Sequence, residues 1–491
     1  MASTYEPTWE SVRTHPLPDW YADAKLGVFI HWGLFSVPGW SPQVADIQKL
    51  LRTEGPAGLF RDNPYAEWYR NSMQVEGSPT WQHHRDTYGA DYPYDRFIEA
   101  FDAGTGACDM GAIAGICEAA GARYVVLTTK HHEGFTLWPA SRVHPRKGAY
   151  HAKRDIVADF GEAVRGHGMR MGLYYSGGYD WPWNDVVMRG AADSILAVPQ
   201  DPAYAAYAAA HVRELIDRYR PSVLWNDICW PPSDDLAALF ADYYDAVPDG
   251  VINDRWRQSA RRGAATDAFV RGAAGLAQAL WQHLPDSSRS LTFPTSEHCD
   301  FNTPEYATFD TIQEKKWEAT RGVGHSFGAN RNERPEDIVT TTELVRSLCD
   351  IVSKNGNLLI GIGPDQNGVI PEEQARPLRG LGAWLATDGE AIHGTRPWAV
   401  AAAETTEGTP VRFTRKDETV YAILLGLPGR PTFGIRGVDL AGAEPVLIGT
   451  DERLPVAAGD GQTELTLPDR VPVQPAYAIR LGAGVRPPTA G

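Results

Sequence analysis

Pro221-Ser222-Val223-Leu224-Trp225-Asn226-Asp227 reads as a short buried strand that stops on a carboxylate. Trp230 and Pro231 follow and end the regular structure. Upstream, Tyr204 to Tyr219 carries Val212, Leu215 and Ile216 at helical core spacing. Downstream, a helical pattern from about Asp235 to Val247 leads into a second strand, Gly250 to Arg255. A strand, a helix and another strand make a βα unit, and a carboxylate where a parallel strand ends lies where such folds place their chemistry.

The same alternation runs outward through four-fifths of the chain. Gly27 to Trp32, Arg123 to Thr129, Met169 to Ser176 and Asn357 to Ile362 read as strands. Met110 to Ala120, Arg154 to Gly166, Thr341 to Ser353 and Glu372 to Thr387 read as helices. Seven or eight such units predict a (β/α)8-like TIM barrel in residues 1–395. A doubly wound sheet is the competitor, but no G-x-G-x-x-G follows the first strand. After Gly394-Thr395-Arg396-Pro397 the pattern changes to short alternating runs, including Val411–Thr414, Thr419–Leu424, Pro445–Ile448 and Tyr477–Leu481. These predict an antiparallel β-sandwich over residues 396–485. Residues 486–491 read as a disordered tail.

Composition narrows the partners. The 491 residues carry 62 acidic against 46 basic side chains, for a net charge of -16. That balance argues against nucleic acid and against an anionic membrane. No apolar run is long enough for a transmembrane helix, and the first residues show no signal peptide. The five cysteines are scattered, with no C-x-x-C pair. Reduced thiols and a cytoplasmic location are the expectation.

Several strand ends carry polar groups: His31-Trp32-Gly33, Lys130-His131-His132-Glu133, Tyr174-Tyr175-Ser176, Asn226-Asp227 and Asn253-Asp254-Arg255-Trp256. A barrel gathers such ends onto one face. Carboxylate, imidazole, guanidinium and aromatic surface together suit a polyol ligand. His131-His132 also admits a metal or a structural reading, although adjacent strand residues diverge and no H-E-x-x-H is present. Asp227 could likewise be a structural loop or capping carboxylate, with Ser233, Asp234 and Asp235 the better caps for the next helix. His83-His84 follows no strand and reads as surface or loop. Gly324-His325-Ser326-Phe327-Gly328 matches G-x-S-x-G but lacks the strand and helix that a nucleophile elbow needs.

Taken in order, these blocks resemble the α-L-fucosidases of glycoside hydrolase family 29. The likeness rests on Phe29–Gly33, Tyr65–Tyr69, Lys130–Phe135, Tyr174–Gly178, Leu224–Asp227, Asn253–Trp256, Thr303–Tyr306, Lys316–Glu318 and Ser353–Leu359. It implies a retaining exo-glycosidase that acts on fucosylated oligosaccharides or glycoconjugates, without cofactor or metal. By the same likeness Asp227 matches the nucleophile and Glu305 the acid/base, with Glu318 the runner-up. His31, Glu67, Trp68, His131, His132, Tyr174, Trp225 and Arg255 match positions that hold sugar hydroxyls or frame the site. Phe29, Tyr65, Tyr306 and Phe327 match a pocket for the C6 methyl. A catalytically inactive fucose-binding protein and an α-L-galactosidase are the alternatives. Two departures stand out. A long insert, Gln258 to Phe293, reads as helical from Ala264 to Ala279, and Gly361 stands where many relatives have Asn, an exchange expected to loosen a late strand.

Overall fold

Seven parallel strands form the central sheet: β1 (Leu26–Ile30), β2 (Tyr124–Lys130), β3 (Arg170–Ser176), β4 (Val223–Asp227), β5 (Val251–Ile252), β6 (Trp317–Gly322) and β7 (Gly356–Ile362). The computed structural model describes residues 4–487 apart from 234, 286–288, 290–295 and 459–462. The strand order is β5-β4-β3-β2-β1-β7-β6. Residues 300–306 run between the two edge strands and bridge to both, pairing Phe301 with Asn253, Asn302 with Trp317 and Glu305 with Thr320. This irregular eighth element completes the circle in sequence order, which is the arrangement of a (β/α)8 barrel. The strands are buried almost throughout, as expected when a parallel sheet is covered on both faces.

The outer helices follow the predicted pattern. Met110–Ala119, Ile156–Gly166, Pro202–Tyr219, Leu236–Ala246, Thr341–Ser353 and Glu372–Asp388 each place an apolar stripe on the core. Two of their starts show how they are capped: Asp109 accepts from Gly111 and Ala112, and Thr340 forms a capping box with Glu343. Between β1 and β2 the chain makes a long helical excursion that includes Ile47–Arg61 and Pro79–Tyr88. His83 and His84 belong to that second helix rather than to a loop. His84 is buried, within hydrogen-bond reach of the Tyr69 hydroxyl (3.1 Å) and the Tyr92 carbonyl (2.8 Å).

Beyond the barrel, Arg396–Glu404, Pro410–Lys416, Thr419–Leu424, Val446–Leu447, Glu452–Arg453 and Tyr477–Gly482 make a six-stranded antiparallel sheet. A three-stranded sheet of Thr432–Gly434, Val456–Ala458 and Thr463–Thr466 accompanies it. Trp398, Phe413, Phe433, Leu465 and Ile479 fill their common core. Arg486 is not loose: it pairs with Asp439 through two 3.2 Å backbone hydrogen bonds. The remainder of the tail from 488 lies outside the described residues. No helix among the described residues is long and apolar enough to cross a membrane.

Two strands differ from the sequence reading. The Gly250–Arg255 strand is regular only at Val251–Ile252, because Asn253 to Trp256 turn toward the site. Trp317–Gly322, given no element in the sequence reading, is a barrel strand with Glu318 fully buried. Its polar residues hid it, since they serve a polar layer inside the barrel.

Candidate active site

Asp227 ends β4 at the floor of a cavity of about 810 Å³ at the C-terminal mouth of the barrel. Its Oδ1 accepts from the Arg255 guanidinium at 2.9 Å and from the Ile228 backbone at 2.8 Å. Its Oδ2 accepts from the Tyr174 hydroxyl at 2.8 Å and lies 3.8 Å from His132 Nε2. Ile228 has φ of +72°, a costly conformation for a β-branched residue, and that turn aims its N–H at the carboxylate. The structural reading of Asp227 as a helix cap does not hold, because the helix at Leu236 starts well beyond it.

Arg255 ties the two halves of the site together. One terminal nitrogen holds Asp227 and the other donates to Glu305 Oε2 at 2.8 Å. Its Nε donates to Thr303 Oγ1 at 3.1 Å, and Thr303 in turn donates to Asp254 at 2.6 Å. This web fixes the irregular 300–306 element, which carries Glu305, onto the end of β5. Burial alone would lower the Arg255 pKa, but Glu305, Asp227 and Asp254 outweigh it and raise it, so the guanidinium stays charged. It also lies over the Trp225 ring, 4.8 Å from the centroid.

Glu305 gains a second partner in the Tyr65 hydroxyl at 2.7 Å. The imidazoles of His31, His131 and His132 crowd the opposite wall, with His131 and His132 centroids 3.9 Å apart. Both follow β2 rather than sitting within it, so the divergence of neighbouring strand residues does not apply. Burial, with His131 and Arg255 nearby, holds His31 well below the usual imidazole range. Its Nδ1 is buried and has no hydrogen-bond partner. His132 Nδ1 instead pairs with Ser176 Oγ at 2.7 Å. No group of three or more potential ligands converges on a metal position among the described residues.

Phe29, Tyr65 and Phe327 form an aromatic corner; the Phe327 centroid lies 5.5 Å from Tyr65 and 4.9 Å from His31. Gly361 serves this corner. A Cβ there would meet the Phe327 ring at 2.6 Å, so glycine gives the ring its seat and β7 remains regular. The expected loosening is absent. Tyr306 does not line the cavity. It packs edge-on against Phe327 at 5.7 Å and donates to the Gly324 carbonyl at 2.9 Å, supporting the wall from behind.

Glu318 is likewise outside the cavity. It lies beneath Trp225, whose indole donates to it at 3.1 Å, and it accepts from the hydroxyls of Tyr21 and Tyr124. Burial pushes its carboxyl up to about 7. Its folded pKa thus exceeds the ordinary 4.5, so the proton it holds stabilises the fold at low pH. That contribution is lost as pH rises through about 7. Thermal melts should show wild type losing stability between pH 5 and 7.5 relative to Glu318→Gln; parallel curves would contradict this.

Sequence reasoning missed the clamp on the 324–328 loop. Glu67 accepts from Ser326 Oγ (3.0 Å), Phe327 N (3.3 Å) and Gly328 N (3.1 Å), while Glu333 takes the backbone N–H groups of His325 and Ser326. Burial raises both carboxyls, Glu333 to about 7. Ser326 of the G-x-S-x-G string is thus a positioning donor. The helix expected in the insert is present as Ala264–Leu280, and the cavity wall includes its Thr266 and Val270. The insert's residues 286–288 and 290–293 lie outside the described residues, as does Asp234 among the proposed caps.

Comparison with known proteins settles the family. The family model Alpha-L-fucosidase matches residues 1–390. The chain belongs to the α-L-fucosidase family. It is 32% identical to the plasma α-L-fucosidase of Rattus norvegicus over 87% of this chain and 81% of that protein. Among solved structures it is similar to a Thermotoga maritima α-L-fucosynthase in complex with α-L-Fuc-(1-2)-β-L-Fuc-N3. That match has a TM-score of 0.83 and 38% identity over 97% of this chain and 99% of that one. The Thermotoga maritima α-fucosidase in complex with fucose matches with a TM-score of 0.78 and 37% identity over 96% and 99% of the two chains. The family is one of glycoside hydrolases, and its barrel with a C-terminal β-sandwich is the fold seen here.

Proposed function

We propose that the protein is a retaining, exo-acting α-L-fucosidase that removes terminal α-L-fucose from fucosylated glycosides. The observation that carries this reading is the single guanidinium of Arg255 holding Asp227 and Glu305 side by side on one cavity floor. Such a grip supports the close pairing of a retaining enzyme, about 5–5.5 Å, over the about 6.5–9.5 Å that leaves room for an attacking water.

In this reading the Asp227 carboxylate attacks the anomeric carbon. The glycosidic C–O bond breaks as Glu305 gives its proton to the leaving oxygen. A fucosyl ester on Asp227 results. Water then attacks the same carbon, Glu305 takes its proton, and the ester bond breaks to release fucose with its configuration retained. Arg255, Tyr174 and the Ile228 N–H hold the Asp227 carboxylate in a fixed orientation. His31 and His131 face the space where ring hydroxyls would sit. The corner of Phe29, Tyr65 and Phe327 suits a C6 methyl. A 6-hydroxyl there would find no free partner, because the Tyr65 hydroxyl is committed to Glu305, and this disfavours α-L-galactosides.

The test is release of 4-nitrophenol from 4-nitrophenyl α-L-fucoside. Turnover is expected between pH 4 and 8, and its absence across that range would sink the proposal in favour of a fucose-binding protein.

A further inference from the structure

The cavity extends well past the space one deoxyhexose needs. At about 810 Å³ it has the size of a pocket for a whole small organic molecule. Its outer wall differs in kind from its floor. Leu51, Leu59 and Phe60 come from the helix Ile47–Arg61, Ile195 and Val198 from the helix Ala191–Leu196 and its exit, and Val270 from the insert helix.

Several polar groups of this wall are spent within the protein, although the Arg257 side chain is exposed beside them. Arg262 donates to Asp267 (3.3 Å) and to the Val198 carbonyl (3.2 Å). Gln258 donates to the Ser233 carbonyl, Ser259 accepts from Gln200 at 3.4 Å, and the Trp281 indole donates to the Leu51 carbonyl at 2.9 Å. A second sugar seated here would lose water from several hydroxyls and recover few hydrogen bonds. The insert helix repeats the theme on its outer side. Phe269, Leu276 and Leu280 recur at intervals of seven and four and are 74%, 62% and 45% exposed. An apolar ridge beside an apolar vestibule suits a substrate that is itself amphiphilic.

We propose that this vestibule is a leaving-group subsite for an apolar aglycone, so that the preferred substrates are fucosides of alkyl or aryl alcohols rather than of a second sugar. The inference rests on the fucosidase reading and adds the identity of the leaving group. Kinetics on octyl α-L-fucoside, methyl α-L-fucoside and 2′-fucosyllactose test it. The kcat/KM for octyl fucoside should exceed that for methyl fucoside by roughly a hundredfold, chiefly through KM, and should also exceed that for 2′-fucosyllactose. Val270→Asp and Ile195→Asp, at incompletely buried positions, should each cut the octyl-to-methyl ratio by about tenfold. Equal values for octyl and methyl fucosides, better cleavage of 2′-fucosyllactose, or ratios unchanged in both variants would overturn the subsite. If no fucoside is cleaved, the functional reading falls instead. Calorimetric titration with octyl and methyl fucosides then decides the subsite alone, equal affinities counting against it.

Discussion

Replacing Asp227 with glycine should lower kcat on 4-nitrophenyl α-L-fucoside by about 10⁴-fold or more, with added azide restoring turnover and yielding β-L-fucosyl azide. The azide anion fits the space vacated by the carboxylate and attacks from the same face, so its product has the configuration of the covalent intermediate. Arg255 makes this variant informative. It keeps Glu305 as a partner when Asp227 is gone, so the cavity floor retains its shape and a melting curve should remain cooperative. A folded variant that azide does not rescue would remove Asp227 from the nucleophilic role.

The second large effect belongs to Glu305→Ala. Loss of a general acid costs about 10²–10⁴-fold, but only where the departing oxygen needs a proton. The loss in kcat/KM should therefore be deep for methyl α-L-fucoside and shallow for 2,4-dinitrophenyl α-L-fucoside. Glu318→Ala should show no such dependence, because that carboxylate lies under Trp225 and touches neither the substrate space nor Asp227. A uniform loss across leaving groups for Glu305→Ala would leave the acid unassigned.

The barrel was legible because its buried strands are apolar runs with clear helices between them, as at Val223–Leu224 and Pro202–Tyr219. Where strands face a polar interior the signal vanished. Trp317–Gly322 reads as charged surface until Tyr21, Tyr124 and Trp225 are seen supplying donors to Glu318. The 300–306 element is harder still, since it pairs through single bridges and has no periodicity. Thirteen of the fifteen candidate site residues line the cavity, all but Tyr306 and Glu318. Those two failed for one reason: a motif marks residues near a site but does not say whether the side chain looks into it or holds it up. Glu333 and Ile228 carried no sequence signal at all. One acts through backbone N–H groups and the other through a dihedral angle.

Gly361 shows how far from the ligand a pocket's size can be set. The aromatic corner is bounded by Phe327, yet the depth at which that ring sits is decided on its far side, by the lack of a side chain on β7. If the corner seats C6 as proposed, selection can tighten or relax discrimination there while leaving every cavity-facing residue untouched. A comparison of relatives confined to contact residues would see identical pockets and miss the difference.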